Sequence, residues 1–159
     1  MAEPFELMSD EEISVIRKSA SIASKVLLEL KKNIKPGVSA LELDKTAYKL
    51  IKSSDAEPAF LGYRGYPATI CFSVNNELVH GIPTGKKIIR EGDIVTVDLG
   101  VVYKGFYGDI AETGPVGRVS ESRKKLLEIT YGCFDSAFKQ CSGSKRVGDL
   151  GSAVQNFVE

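Results

Sequence analysis

The sequence predicts an α+β domain: helices, then an antiparallel sheet, then helices again. Three observations carry this. Apolar residues recur at steps of three and four at both ends of the chain. Between Ile94 and Tyr103 every odd-numbered residue is apolar, and turn residues separate that run from its neighbours. A chain of 159 residues suffices for one domain, and 43% hydrophobic content argues against low-complexity disorder.

The first helix begins at Ser9-Asp10-Glu11-Glu12, a capping box in which the serine hydroxyl and the Glu12 carboxylate satisfy opposite backbone donors. Ile13, Ile16, Ala20, Ala23, Leu27 and Leu30 form its expected apolar stripe, and Pro36-Gly37 ends it. Ser39-Ala40-Leu41-Glu42 is a second capping box, opening a helix with Leu43, Ala47, Leu50 and Ile51 inward. Thr69–Val74 reads as a strand and Asn75-Asn76 as a turn, with Glu77 to His80 leading into Gly81-Ile82-Pro83. Ile94–Tyr103 and Phe106–Thr113 read as a hairpin about Lys104-Gly105. From Ser120 a helix places Leu126, Leu127, Phe134, Ala137 and Phe138 on its apolar side and is expected to end at Gly143. A last helix from about Val147 carries Leu150, Val154, Phe157 and Val158. No repeat or linker is evident.

Twenty-one Lys+Arg balance twenty-one Asp+Glu, which argues against a cationic nucleic-acid binder. Lys31, Lys32 and Lys35 read as the solvated end of a helix. Cys71, Cys133 and Cys141 are odd in number and widely spaced, which points to a reducing, cytoplasmic setting rather than a disulfide framework. Met1 to Asp10 lacks the pattern of a leader peptide, and no run approaches a membrane span.

The chemistry concentrates on the hairpin. Val95, Val97, Leu99, Val101 and Tyr103 form a core face, so Asp98 points the other way. If Lys104-Gly105 is a two-residue turn, paired residues have numbers summing to 209. Gly100 then faces Asp109, Ala111 faces Asp98, and the two aspartates share a face as diagonal neighbours about 7–8 Å apart at the backbone. A three-residue turn would put them on opposite faces. Gly100 and Ala111 are expected to leave the space between them open. Three readings fit such a pair: carboxylates solvated on an exposed face, hard oxygen ligands for one or two divalent metals, or an acid/base pair.

His80 is the only histidine, so a histidine-rich metal site is excluded for this chain. It is either a structural hydrogen-bonding residue or, from its loop position, a functional one. Tyr63 and Tyr66 are either loop anchors with hydroxyls in water or the lining of a pocket. Gly62 and Gly65 do not make a phosphate loop, because no strand precedes them and no helix follows.

Three segments together resemble the type I methionine aminopeptidases: Ser73-Val74-Asn75-Asn76-Glu77-Leu78-Val79-His80-Gly81-Ile82-Pro83, Gly92-Asp93-Ile94-Val95-Thr96-Val97-Asp98 and Gly105-Phe106-Tyr107-Gly108-Asp109. Leu61 to Pro67, Lys35 to Ser39 and Val154 to Glu159 fit the same family. The resemblance implies a pita-bread fold and a metal-dependent peptidase that removes the initiator methionine from Met-peptides and nascent chains, with the ribosome as a possible partner. It implies two divalent ions, of cobalt, manganese, iron or zinc, with Asp98 bidentate on one and Asp109 bridging. By the same resemblance His80 hydrogen-bonds the substrate backbone without ligating metal. Phe60, Tyr63, Tyr66 and Cys71 line the methionine pocket.

The family's histidine ligand, its two glutamate ligands and a second substrate histidine lie beyond Glu159, where the chain stops within a predicted helix. The expectation is an incomplete peptidase M24-like domain, apparently truncated: residues 1–55 supply N-terminal helices, 56–118 the sheet with the metal hairpin, and 119–159 helices beginning the second half. Such a chain is expected to be inactive and to dimerise, aggregate or stay partly unfolded. A prolidase-like peptidase and a non-catalytic peptide- or partner-binding protein are the competing readings.

Overall fold

The computed structural model describes residues 7–159. The first six residues of the Met1–Asp10 stretch lie outside the described residues. The chain divides into two compact units, one ending at Gly117 and the other running Arg118–Glu159.

In the first unit, α1 spans Asp10–Asn33 and α2 spans Ala40–Lys52, and both capping boxes form. The Glu12 amide donates to Ser9 Oγ at 3.2 Å while the Ser9 amide donates to Glu12 Oε2 at 2.7 Å. The buried face of α1 is Ser19, Ile22, Ala23, Val26, Leu27 and Leu30, rotated from the expected stripe, so that Ala20 is exposed. The rotation has a local cause. The α1 backbone at Ser19 and Ala20 lies against Gly108, where an added Cβ would come within 2.5 Å of the Ser19 carbonyl carbon. The Ser19 hydroxyl, fully buried, donates to the Val101 carbonyl at 2.9 Å.

The sheet has four antiparallel strands: β1 Glu57–Pro58, β2 Ile70–Val74, β3 Ile94–Tyr103 and β4 Phe106–Pro115. β3 is central. It pairs with β4 along its whole length on one side, and with β2 and then β1 on the other. Lys104 (φ 49°) and Gly105 (φ 84°) make the tight two-residue turn. Tyr103 therefore faces Phe106, Gly100 faces Asp109, and Asp98 faces Ala111. Ile70, Phe72, Val95, Val97, Leu99 and Val101 form a continuous core with Leu27, Leu30, Leu43 and Ile51 of the two helices. With one face of the sheet covered in this way, Cys71, Asp98, Gly100 and Asp109 are left on the other.

In the second unit, α3 spans Glu121–Phe138, with Ser120 as its cap, and α4 spans Val147–Val158. They pack closely enough that a Cβ at Gly132 would collide with the Phe157 ring. α3 ends at Phe138 rather than at Gly143. Its last turn closes on Gln140–Ala137 and Cys141–Phe138 backbone bonds, and the Ser- and Gly-rich segment that follows has weak helix propensity. Of the residues expected on the apolar side of α3, only Leu127 is buried; Leu126, Phe134 and Phe138 are exposed.

Candidate active site

A cavity of about 990 Å³ opens on the sheet face opposite the helices. The candidate metal, substrate and pocket residues read from the sequence all line it: Phe60, Tyr63, Tyr66, Cys71, His80, Asp98 and Asp109. Arg64, Ile82 and Tyr107 complete its wall.

Asp98 is half-buried on β3, flanked by Cys71 of β2 and Ala111 of β4. Burial pushes its carboxyl above the usual range, the neighbouring Asp109 carboxylate adds to the rise, and His80 opposes it. Asp109 is exposed on β4 opposite Gly100. The space at Gly100 is not open, contrary to expectation. A Cβ there would lie 2.7 Å from the Phe60 ring and 2.8 Å from Ala59 Cβ. Gly100 is thus the seat of Phe60, and the Ala59 amide fixes that seat by donating to the Gly100 carbonyl at 2.9 Å.

Tyr66 does more than line the wall. Its hydroxyl lies within donating distance of the Ile70 carbonyl (3.0 Å) and the Gly81 carbonyl (3.2 Å), joining the aromatic loop to the start of β2 and to the His80 segment. Burial raises its pKa, so it remains a neutral donor. Tyr63 is exposed, with the Arg64 guanidinium 5.4 Å from its ring centre. The Cys71 thiol is also raised, first by burial, while Asp98 and Asp109 add to the rise and Tyr66 opposes it. It therefore stays a thiol at neutral pH and suits a pocket wall rather than a nucleophile.

His80 is exposed and holds a left-handed backbone (φ 58°). Beside it the Gly81 carbonyl accepts from the Phe72 amide at 2.7 Å, and the Gly81 amide donates to Ser73 Oγ at 3.1 Å. Gly81 must be glycine for this approach, because a Cβ would sit 2.9 Å from both Ser73 Oγ and the Phe72 carbonyl carbon.

Asp44 carries structure that the sequence did not disclose. From α2 its Oδ1 accepts the Thr69 amide at 2.8 Å and the Ile70 amide at 3.0 Å, fixing the start of β2 just before Cys71. No local motif marks it, since a lone Asp within a helix reads as a solvated face.

Two carboxylates sharing one wall suit a hard divalent cation; burial does most to raise the Asp98 pKa, and the Asp109 charge adds a smaller repulsion that a cation would relieve. Among the described residues no group of three or more His, Cys, Asp and Glu is placed to hold a metal ion. The donors present therefore fit part of a coordination shell.

The sequence matches metallopeptidase family M24 over residues 14–159. It is 44% identical over 153 residues to a methionine aminopeptidase of Borreliella burgdorferi, covering 96% of this chain and 61% of that protein. It is 42% identical over 148 residues to methionine aminopeptidase 1 of Bacillus subtilis, covering 93% and 59%. The crystal structure of a methionine aminopeptidase from Thermotoga maritima superposes with a TM-score of 0.94 at 37% identity, covering 98% of this chain and 62% of that one. Prolidase from Pyrococcus furiosus shares the fold with a TM-score of 0.85 at 26% identity, covering 96% and 43%. The chain thus spans about 60% of the length of the methionine aminopeptidases it matches. With its pita-bread sheet and paired aspartates, it belongs to metallopeptidase family M24.

Proposed function

We propose that the chain supplies the aspartate side of a metal site that removes N-terminal methionine from peptides and nascent polypeptides. The observation that carries this reading is the meeting of Asp98 and Asp109, from facing strands, with His80 on one aromatic-walled cavity. Asp98 and Asp109 would hold the divalent ions; cobalt, manganese, iron and zinc are the candidates. When bound, such ions supply Lewis acidity and an acidified water. The chain's own residues do the rest. Phe60, Tyr63, Tyr66 and Cys71 surround an unbranched thioether, which suits aromatic and sulfur neighbours. His80, at the exposed rim, hydrogen-bonds the peptide backbone next to the scissile bond.

A prolidase-like specificity is the second reading, since solved prolidases share the fold. The curated relatives in the 38–44% identity range are named methionine aminopeptidases, which favours the first. Among the described residues no helix is long and apolar enough to cross a membrane. A cytoplasmic setting, with the ribosome as the source of substrate, accords with the proposed reaction.

Residues 143–159 contain no histidine, and their only glutamate is Glu159. The 159 residues by themselves therefore lack the later His and Glu ligands implied by the family resemblance. Calorimetric titration with Mn²⁺ should show binding that Asp98→Asn abolishes, whereas a Met-peptide incubated with the chain and Co²⁺ or Mn²⁺ should remain intact. Unchanged Mn²⁺ binding by Asp98→Asn would sink the metal assignment, and peptide turnover would overturn the expected inactivity.

A further inference from the structure

We propose that Lys87 is a positioning residue for His80, closing with Glu77 a clasp across the base of the loop that presents the imidazole. The functional meaning rests on the reading of His80 as a substrate-binding group; the clasp itself rests on geometry.

The bonds to Gly81 hold the loop at its far end, just after His80. Leu78 and Val79 point outward, 87% and 61% exposed, so apolar burial does not fix it. His80 nevertheless keeps a left-handed backbone that a non-glycine residue adopts only when its surroundings impose it. Lys87 supplies such a restraint. Its Nζ donates to the Phe72 carbonyl at 2.9 Å and to Glu77 Oε2 at 2.8 Å. The same Glu77 oxygen accepts the Val74 amide at 2.8 Å. One ammonium thus ties β2 to the first turn of the loop. Phe72 is held from both sides, its carbonyl by Lys87 and its amide by the Gly81 carbonyl beside His80.

The Lys87 side chain is only 17% exposed, unusual for a lysine unless its charge is matched. Its backbone is fastened too, for the Lys87 carbonyl accepts the Ala40 amide at 2.9 Å, at the start of α2. An exposed ion pair would contribute little, but a part-buried one that also satisfies two backbone groups does more.

The test uses the metal-free chain and its single histidine, whose imidazole NMR signals need no assignment by mutagenesis. Lys87→Met and Glu77→Gln should accelerate Phe72 and Gly81 amide exchange about tenfold or more and move the His80 signals toward their unfolded positions. Leu99, in the central strand, should change less than about threefold. Lys87→Arg keeps the donors and should stay close to the parent chain. Unchanged Phe72, Gly81 and His80 signals in Lys87→Met would overturn the clasp. So would Leu99 accelerating in parallel, or Lys87→Arg behaving like Lys87→Met. Should Lys87→Met fail to fold, Glu77→Gln decides by the same signals. With no metal or peptide present, failure here leaves the metal reading intact, and failure of metal binding leaves the clasp intact.

Discussion

Asp44 offers the sharpest separation between a charge and a hydrogen-bond role. One oxygen, Oδ1, accepts both the Thr69 and Ile70 amides, which lie at 2% and 0% exposed residues. Asp44→Ala leaves two buried donors without a partner, a loss of about 2–4 kcal/mol if each costs about 1–2 after partial relaxation. Asp44→Asn keeps a carbonyl oxygen in the same place and removes a charge that burial already disfavours, so it should cost less than about 1 kcal/mol. The sign with pH follows from the same geometry. Burial raises the Asp44 pKa above 3.8 and outweighs the two amides that lower it. Its contribution to stability is therefore full below the unfolded pKa and is lost as pH rises through the folded one. Asp44→Asn should accordingly look better relative to the parent chain at neutral pH than at pH about 3. Urea unfolding followed by circular dichroism, with Cys71 thiol reactivity as a local probe, compares the parent chain with both variants. Equal losses for Asp44→Asn and Asp44→Ala would refute the hydrogen-bond account.

Three further outcomes are expected. Gly100→Ala pushes a methyl group into the Phe60 ring and should cost about 1–3 kcal/mol by overpacking, seen as a lowered Tm, with partial relief from Phe60→Ala in the same chain. Because Asp98 holds its proton above the ordinary carboxylate range, Mn²⁺ affinity should begin to fall at a higher pH than for an unperturbed carboxylate pair on acidification; titration calorimetry across pH 4–7 (an interval of about three units) checks this. The exposed Leu126, Phe134 and Phe138 of α3 should make the chain self-associate, seen as sedimentation coefficients that rise with concentration.

The hairpin was legible because its information is local: Lys104-Gly105 sets the register, and the register alone places Asp98 and Asp109 on one face. The capping boxes of α1 and α2 were legible for the same reason. What escaped the sequence depends on partners distant in the chain. Ser19 reads as a surface residue until Val101 offers it a carbonyl, and Asp44 reads as solvated until Thr69 and Ile70 arrive. Gly100 reads as empty space until Phe60 fills it, and Lys87 reads as one of many surface lysines until Phe72 and Glu77 close on it. The end of α3 was missed because Gly143 reads as the stop signal, whereas the backbone already tightens just after Phe138, the last residue of the apolar side. The residues that line the cavity were thus readable, while the groups that hold them in place were not.

The central claim, that Asp98 and Asp109 place a cation in the cavity beside His80, is tested most directly by paramagnetic broadening. Substoichiometric Mn²⁺ added to the chain should broaden the single imidazole signal, and the Asp98→Asn, Asp109→Asn double variant should abolish the effect while the fold persists. Equal broadening in the double variant, or none in the parent chain at Mn²⁺ levels that calorimetry shows to be bound, would contradict the account.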